Sequence, residues 1–157
     1  MSNLAKTFTL GSVAGLAATA PMSAVMEALH QLEPAPERQP LPPRQITMEI
    51  AERLGMKDEL DEPERQALTQ IAHFGYGAVM GGLYACLAKE APLPPAVRGA
   101  AFGLAVWAGS YLGLLPALGI HPSAANQPAS RNALMITAHL VWGGSLGLLV
   151  EAFADRQ

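Results

Sequence analysis

Residues 132–150 read NALMITAHLVWGGSLGLLV, nineteen positions without an Asp, Glu, Lys or Arg. At a rise of about 1.5 Å per residue this segment makes a helix close to the roughly 30 Å of a bilayer's hydrocarbon layer. Working outward, three more uncharged stretches of similar or greater length appear: Thr7–Met26, Gln66–Ala88 and Gly99–Ser130. One such helix fits the core of a soluble protein. Four of them take up most of a 157-residue chain, and that predicts a lipid solvent. The expectation is an all-α, four-span transmembrane helical bundle forming a single membrane domain over 1–157, with spans at about 7–32, 63–88, 95–118 and 132–154 and a polar loop over 33–62.

Composition agrees. Half the residues are hydrophobic and 15% are charged, against about 25% in soluble proteins. Mean hydropathy is +0.22, held down by the polar loop. A net charge of −3 argues against a nucleic-acid partner, which needs a basic face. The bilayer is the expected partner, with a homo-oligomer or a second membrane protein as further candidates. The single cysteine, Cys86, has no intrachain partner and reads as a buried thiol. At the N-terminus, Lys6 and the small residues Ala18-Thr19-Ala20 resemble a signal peptide, but Pro21 is a poor first mature residue and the apolar pattern runs on to Met26, so a retained first span is expected.

The polar loop has signals of its own. Glu33-Pro34-Ala35-Pro36 and Gln39–Arg44 read as extended, since proline lacks an amide donor. Ile46, Ile50 and Leu54 then repeat at helical spacing up to Gly55, predicting a short amphipathic helix that lies on the membrane surface or caps the bundle. Asp61 and Glu64 form a capping box that starts the second span. Lys6, Lys89, Arg98 and Arg156 fall on one side of the membrane and Arg38, Arg44, Arg53, Lys57, Arg65 and Arg131 on the other. Counting favours a cytoplasmic loop, yet the loop is rich in carboxylates. The orientation with both termini cytoplasmic is preferred, partly on the resemblance given below.

The chain also matches itself. At an offset of 88, Gly11, Gly15, Leu16, Ala17 and Ala20 meet Gly99, Gly103, Leu104, Ala105 and Ala108. At an offset of 66, Ala72, His73, Gly77 and Gly81 meet Ala138, His139, Gly143 and Gly147. This predicts two helical hairpins in parallel repeat. Gly-x-x-x-Gly pairs at 11/15, 77/81, 99/103 and 143/147, with a further pair at 109/113, are expected to hold the helices, because backbone approach at small residues replaces the hydrophobic drive in lipid.

Polar residues inside the spans are the candidates for function. His73 and His139 share a helix face with their glycine pairs. Glu27 lies on the ladder of fourth residues from Gly11, and His30, near the end of span one, falls in the same half of the bundle, as does His121. Three readings stay open. The histidines hydrogen-bond across helices and lock the packing. Alternatively, Glu27, His30, His73 and His139 bind a transition-metal ion. Or they relay protons, since histidine titrates near neutrality. Tyr76, Trp107 and Trp142 read as packing residues or interfacial anchors. No Gly-rich phosphate loop follows a strand and no Ser-His-Asp set is assignable, so a non-enzymatic role is expected. The alternative role is a structural or assembly protein docking a partner through its Pro-Pro-Arg loop.

Leu41-Pro42-Pro43-Arg44, His73 with Tyr84 eleven residues later, and His139-Leu140-Val141-Trp142 resemble segments of the YagU-like family, as does the Gly-rich opening of the first span. That resemblance implies an uncharacterised multi-span protein of the bacterial inner membrane and no established catalytic activity. This chain is shorter, and its polar loop is built differently.

Overall fold

The computed structural model describes residues 3–33, 38–87 and 92–155. The predicted extended Pro34-Ala35-Pro36 piece, Lys89, Arg156 and the end of the second span at Ala88 lie outside them. Regular structure among the described residues is all helical: α1 Asn3–Gln31, α2 Pro42–Arg53, α3 Glu62–Leu87, α4 Pro95–Ala117 and α5 Ala129–Ala154, with single 3₁₀ turns at Lys57–Glu59 and Ala124–Asn126.

Three of these helices, α1, α4 and α5, are long and apolar enough to cross a membrane. The fourth predicted span, α3, is as long but more polar. It begins with Glu62, Glu64 and Arg65 and carries Gln66, Gln70 and His73 in its first half. The predicted capping box forms there: the Asp61 amide donates to Glu64 Oε2 at 2.9 Å and the Glu64 amide to Asp61 Oδ1 at 2.9 Å.

The helices associate in pairs. α1 lies along α3, α4 lies along α5, and α1 crosses onto α5 to join the pairs, while α3 and α4 barely touch. Glycine sets the close approaches. A Cβ on Gly15 would strike the Gly77 carbonyl oxygen, and one on Gly81 would strike that of Gly11. In the other pair, a Cβ on Gly99 would strike the Gly143 carbonyl oxygen and one on Gly103 that of His139. Gly109 and Gly113 behave differently, with open space where a side chain would project. Between the pairs, the Trp142 indole N–H donates to the Gly15 carbonyl at 3.3 Å, and Ala14, Ala18, Ala138 and Leu146 are fully buried.

Two elements depart from the sequence expectation. The Pro-Pro-Arg stretch is not extended. Pro42, Pro43 and Arg44 form the first turn of α2. First-turn amides have no helical acceptor, so proline loses nothing there and its fixed φ suits the helix. The second departure is a π-helical turn over Gly109–Leu114 inside α4. Pro116 follows, and with no N–H it cannot bond the carbonyl four residues back; a wider turn upstream relieves that clash.

α2 caps the bundle at the end where α1 and α4 finish and α3 and α5 begin. It terminates at Gly55, whose φ of 71° needs glycine. Arg53 then reaches across to the end of α4, donating to Leu118 O at 2.8 Å and Gly119 O at 2.7 Å. One last-turn guanidinium thus satisfies two unpaired carbonyls of a neighbouring helix.

Candidate functional site

Because α3 and α4 diverge, the bundle has a gap on that side. A cavity of about 530 Å³ fills it, within the roughly 300–1,000 Å³ of small-molecule sites. Its floor is Thr19 and Met22 of α1 with Met135, His139 and Trp142 of α5. Leu68, Ala72, His73 and Tyr76 of α3 form one wall, and Val106, Ser110, Tyr111 and Leu114 of α4 the other. Pro43, Ile46, Thr47 and Ile50 of α2 close one end. The amphipathic face predicted from Ile46 and Ile50 is therefore turned onto this cavity.

Few polar atoms interrupt the lining. The Tyr76 hydroxyl and Ser110 Oγ, 3.0 Å apart, bridge the two walls. The π turn helps place Ser110 and Tyr111, both buried, toward the interior. Tyr111 stands edge-on to His139 at 6.0 Å and to His121 at 5.5 Å. His139, 5% exposed, sits within hydrogen-bond distance of the Met135 carbonyl through Nδ1, at 2.8 Å. His73 Nε2 is buried and has no hydrogen-bond partner among the described residues.

The four residues considered as metal ligands are divided. His73 and His139 line the same cavity. Glu27 is exposed and takes a hydrogen bond from Gln31 at 3.1 Å. His30 pairs with Glu33, Nδ1 to Oε2 at 2.7 Å. Among the described residues no group of three or more His, Cys, Asp or Glu could hold a metal ion. The reason lies in the helix repeat: at about 3.6 residues per turn, sixteen residues from Gly11 to Glu27 rotate the side chain by about 160°, so a ladder that starts at the interface ends away from it.

A second cluster, beyond the end of the cavity, was not apparent from residue types. Arg131 is 5% exposed. It donates to Gln39 O at 3.3 Å, to Pro40 O and to Gln45 Oε1 at 3.4 Å, and lies 3.9 Å from the buried Glu33 carboxylate. His121 completes the cluster, with Nδ1 2.8 Å from Pro122 O and Nε2 3.1 Å from Gln45 Oε1. Burial holds the His121 imidazole below its ordinary range, the Pro122 hydrogen bond opposes this and the Arg131 charge adds to it. This cluster fastens the chain before α2 to the start of α5. Its one signal in the sequence was Arg131 itself, the single charge between two uncharged stretches.

The fold and cavity define a class: an all-helical bundle with three helices able to cross a membrane and an apolar interior site. Within that class, the chain belongs to the family described as "Protein of unknown function (DUF1440)", whose match covers residues 33–148. The matched region carries both of the cavity's walls, its α2 end and the α5 part of its floor, and leaves out α1. No curated protein and no solved structure matches the chain.

Proposed function

We propose that this is a four-span integral membrane protein that binds a small apolar molecule in the cavity between α3 and α4. The observation that carries this reading is the cavity itself, apolar along nearly all its lining and bounded by two helices that scarcely meet. An apolar cavity gains nothing from water and accepts an apolar guest. In a bilayer the α3–α4 gap gives such a guest a lateral route. α3 joins the other three as a span on this reading, since Ile71, Val79, Leu83 and Leu87 are exposed on its outer side and its polar residues fall near its start or toward the cavity.

The remaining features fit a binding protein with no reaction to perform. The two glycine-packed pairs are read as one duplicated hairpin. Gly15 meets Gly77 and Gly81 as Gly99 meets Gly143 and Gly147, which supports the duplication and moves the first-helix equivalence one turn from the offset of 88. The YagU-like resemblance, a bacterial inner membrane and cytoplasmic termini belong to the same proposal. The alternative, an assembly protein docking partners through Pro-Pro-Arg, is weakened because Pro42 is buried and Arg44 is 2.8 Å from Glu62. A two-histidine ion site lacks the three or four protein ligands that metal sites use.

The test uses Trp142 as reporter. It lines the cavity and is 2% exposed, so bilayer lipid cannot touch it from outside. Trp107→Phe leaves it as the sole tryptophan. In lipid nanodiscs, bromododecane is expected to quench Trp142 saturably, and Ala72→Phe, which narrows the cavity, to reduce that quenching. Quenching that rises only in proportion to bromoalkane in the bilayer would refute the proposal.

A further inference from the structure

We infer that the molecule held in the cavity ends in a hydroxyl group, seated against His139; this rests on the binding role proposed above. Donors and acceptors in the cavity select the guest. His139 Nδ1 lies 2.8 Å from the Met135 carbonyl, which accepts only, so the proton of a neutral ring sits on Nδ1. His139 Nε2 is then an acceptor. The His73 ring lines the same cavity, but its Nε2 is buried out of a guest's reach, which leaves His139 Nε2 as the acceptor. Of the other polar groups in the cavity, Tyr76 is paired with Ser110 and Thr19 with the Gly15 carbonyl.

A hydroxyl suits this acceptor because it brings one donor on an uncharged head. Its proton goes to His139 Nε2. An ether or a carbonyl compound brings no donor and leaves His139 Nε2 bare. A carboxylate brings only acceptors and a charge into an apolar cavity, at a high desolvation cost. The hydrocarbon part of the guest then runs along Ile46 and Ile50 of α2 and Leu68 of α3. The ligand class is a single-chain amphiphile with an alcohol head.

The experiment compares three guests in the Trp107→Phe protein in phosphatidylcholine nanodiscs, with concentrations expressed per mole of bilayer lipid. They are a dodecanol brominated on its third carbon, which keeps the bromine beside Trp142, the methyl ether of that alcohol, and bromododecane. The alcohol is expected to half-quench Trp142 at about one-tenth the concentration of the ether, the scale of one buried hydrogen bond. In His139→Leu the two should become equal. Saturable quenching with alcohol and ether equally potent in the parent protein would overturn the hydroxyl assignment and leave the cavity's binding role standing. Absence of saturable quenching by all three would overturn that role and this inference together. The alcohol–ether comparison needs no histidine variant, so it decides the matter even if His139→Leu fails to fold.

Discussion

Arg131 is the residue whose burial matters most at the end of the bundle carrying α2. Its guanidinium serves two backbone carbonyls, the Gln45 amide and the Glu33 carboxylate at once. Removing one member of a buried charged pair costs about 3–5 kcal/mol, because the other charge stays buried alone. Arg131→Ala is therefore expected to free the segment over 38–41, read as faster proteolysis there. Arg131→Lys should restore little, since an ammonium cannot reproduce the planar fork. Beside it, His121 has a lowered pKa from burial and from Arg131. The unfolded chain then binds its proton first as pH falls. The contribution of His121 is complete above the ordinary imidazole value of about 6.5 and declines as pH drops through the lower folded value. Gln45, Arg131 and Tyr111 face this ring, and none of them supplies a negative charge. The thermal unfolding midpoint in detergent should accordingly fall as pH drops over that interval, and the slope should flatten in His121→Gln.

At the scale of elements, the glycines separate into those that face a backbone and those that do not. Gly15→Ala and Gly99→Ala place a methyl on the carbonyls of Gly77 and Gly143. Overpacking of this kind costs about 1–3 kcal/mol. Each should lower the unfolding midpoint, while Gly109→Ala, which meets open space, should not. Spacing alone made the 109/113 pair look equivalent to the others. The backbone decides otherwise, because these residues fall in the π turn, where the helix phase shifts. α2 shows the converse. Its apolar spacing was legible in Ile46, Ile50 and Leu54, but not which surface that face would cover. The Arg53 clamp on the end of α4 settles that it lies on the bundle. Arg53→Ala removes both bonds and is expected to speed amide exchange along α2, leaving α5 unchanged.

For the molecule as a whole, the exposed surface is the relevant property. Within the most apolar stretch of α4, 11% of residues are buried, and Leu104 and Leu112 face outward. A surface of this kind has no favourable state in water. The purified chain should stay monodisperse only with detergent or lipid present, and sedimentation after detergent removal checks this. The outline of the molecule was legible in sequence because it depends on counts: the length of each uncharged run, the glycine spacing and the Asp61–Glu64 cap. The site was legible only in part. His73 and His139 could be picked out because imidazoles are costly in lipid, and they do share a cavity. Glu27 and His30 could not be separated from them, since a ladder of fourth residues looks continuous on paper while the helix turns beneath it. The sequence by itself determined which segments become long helices, because that needs only local composition and a period. Tertiary structure alone decided that α3 and α4 stand apart and leave a cavity, because such a gap arises from how close four backbones can come, and that is a property of pairs of helices rather than of any one of them.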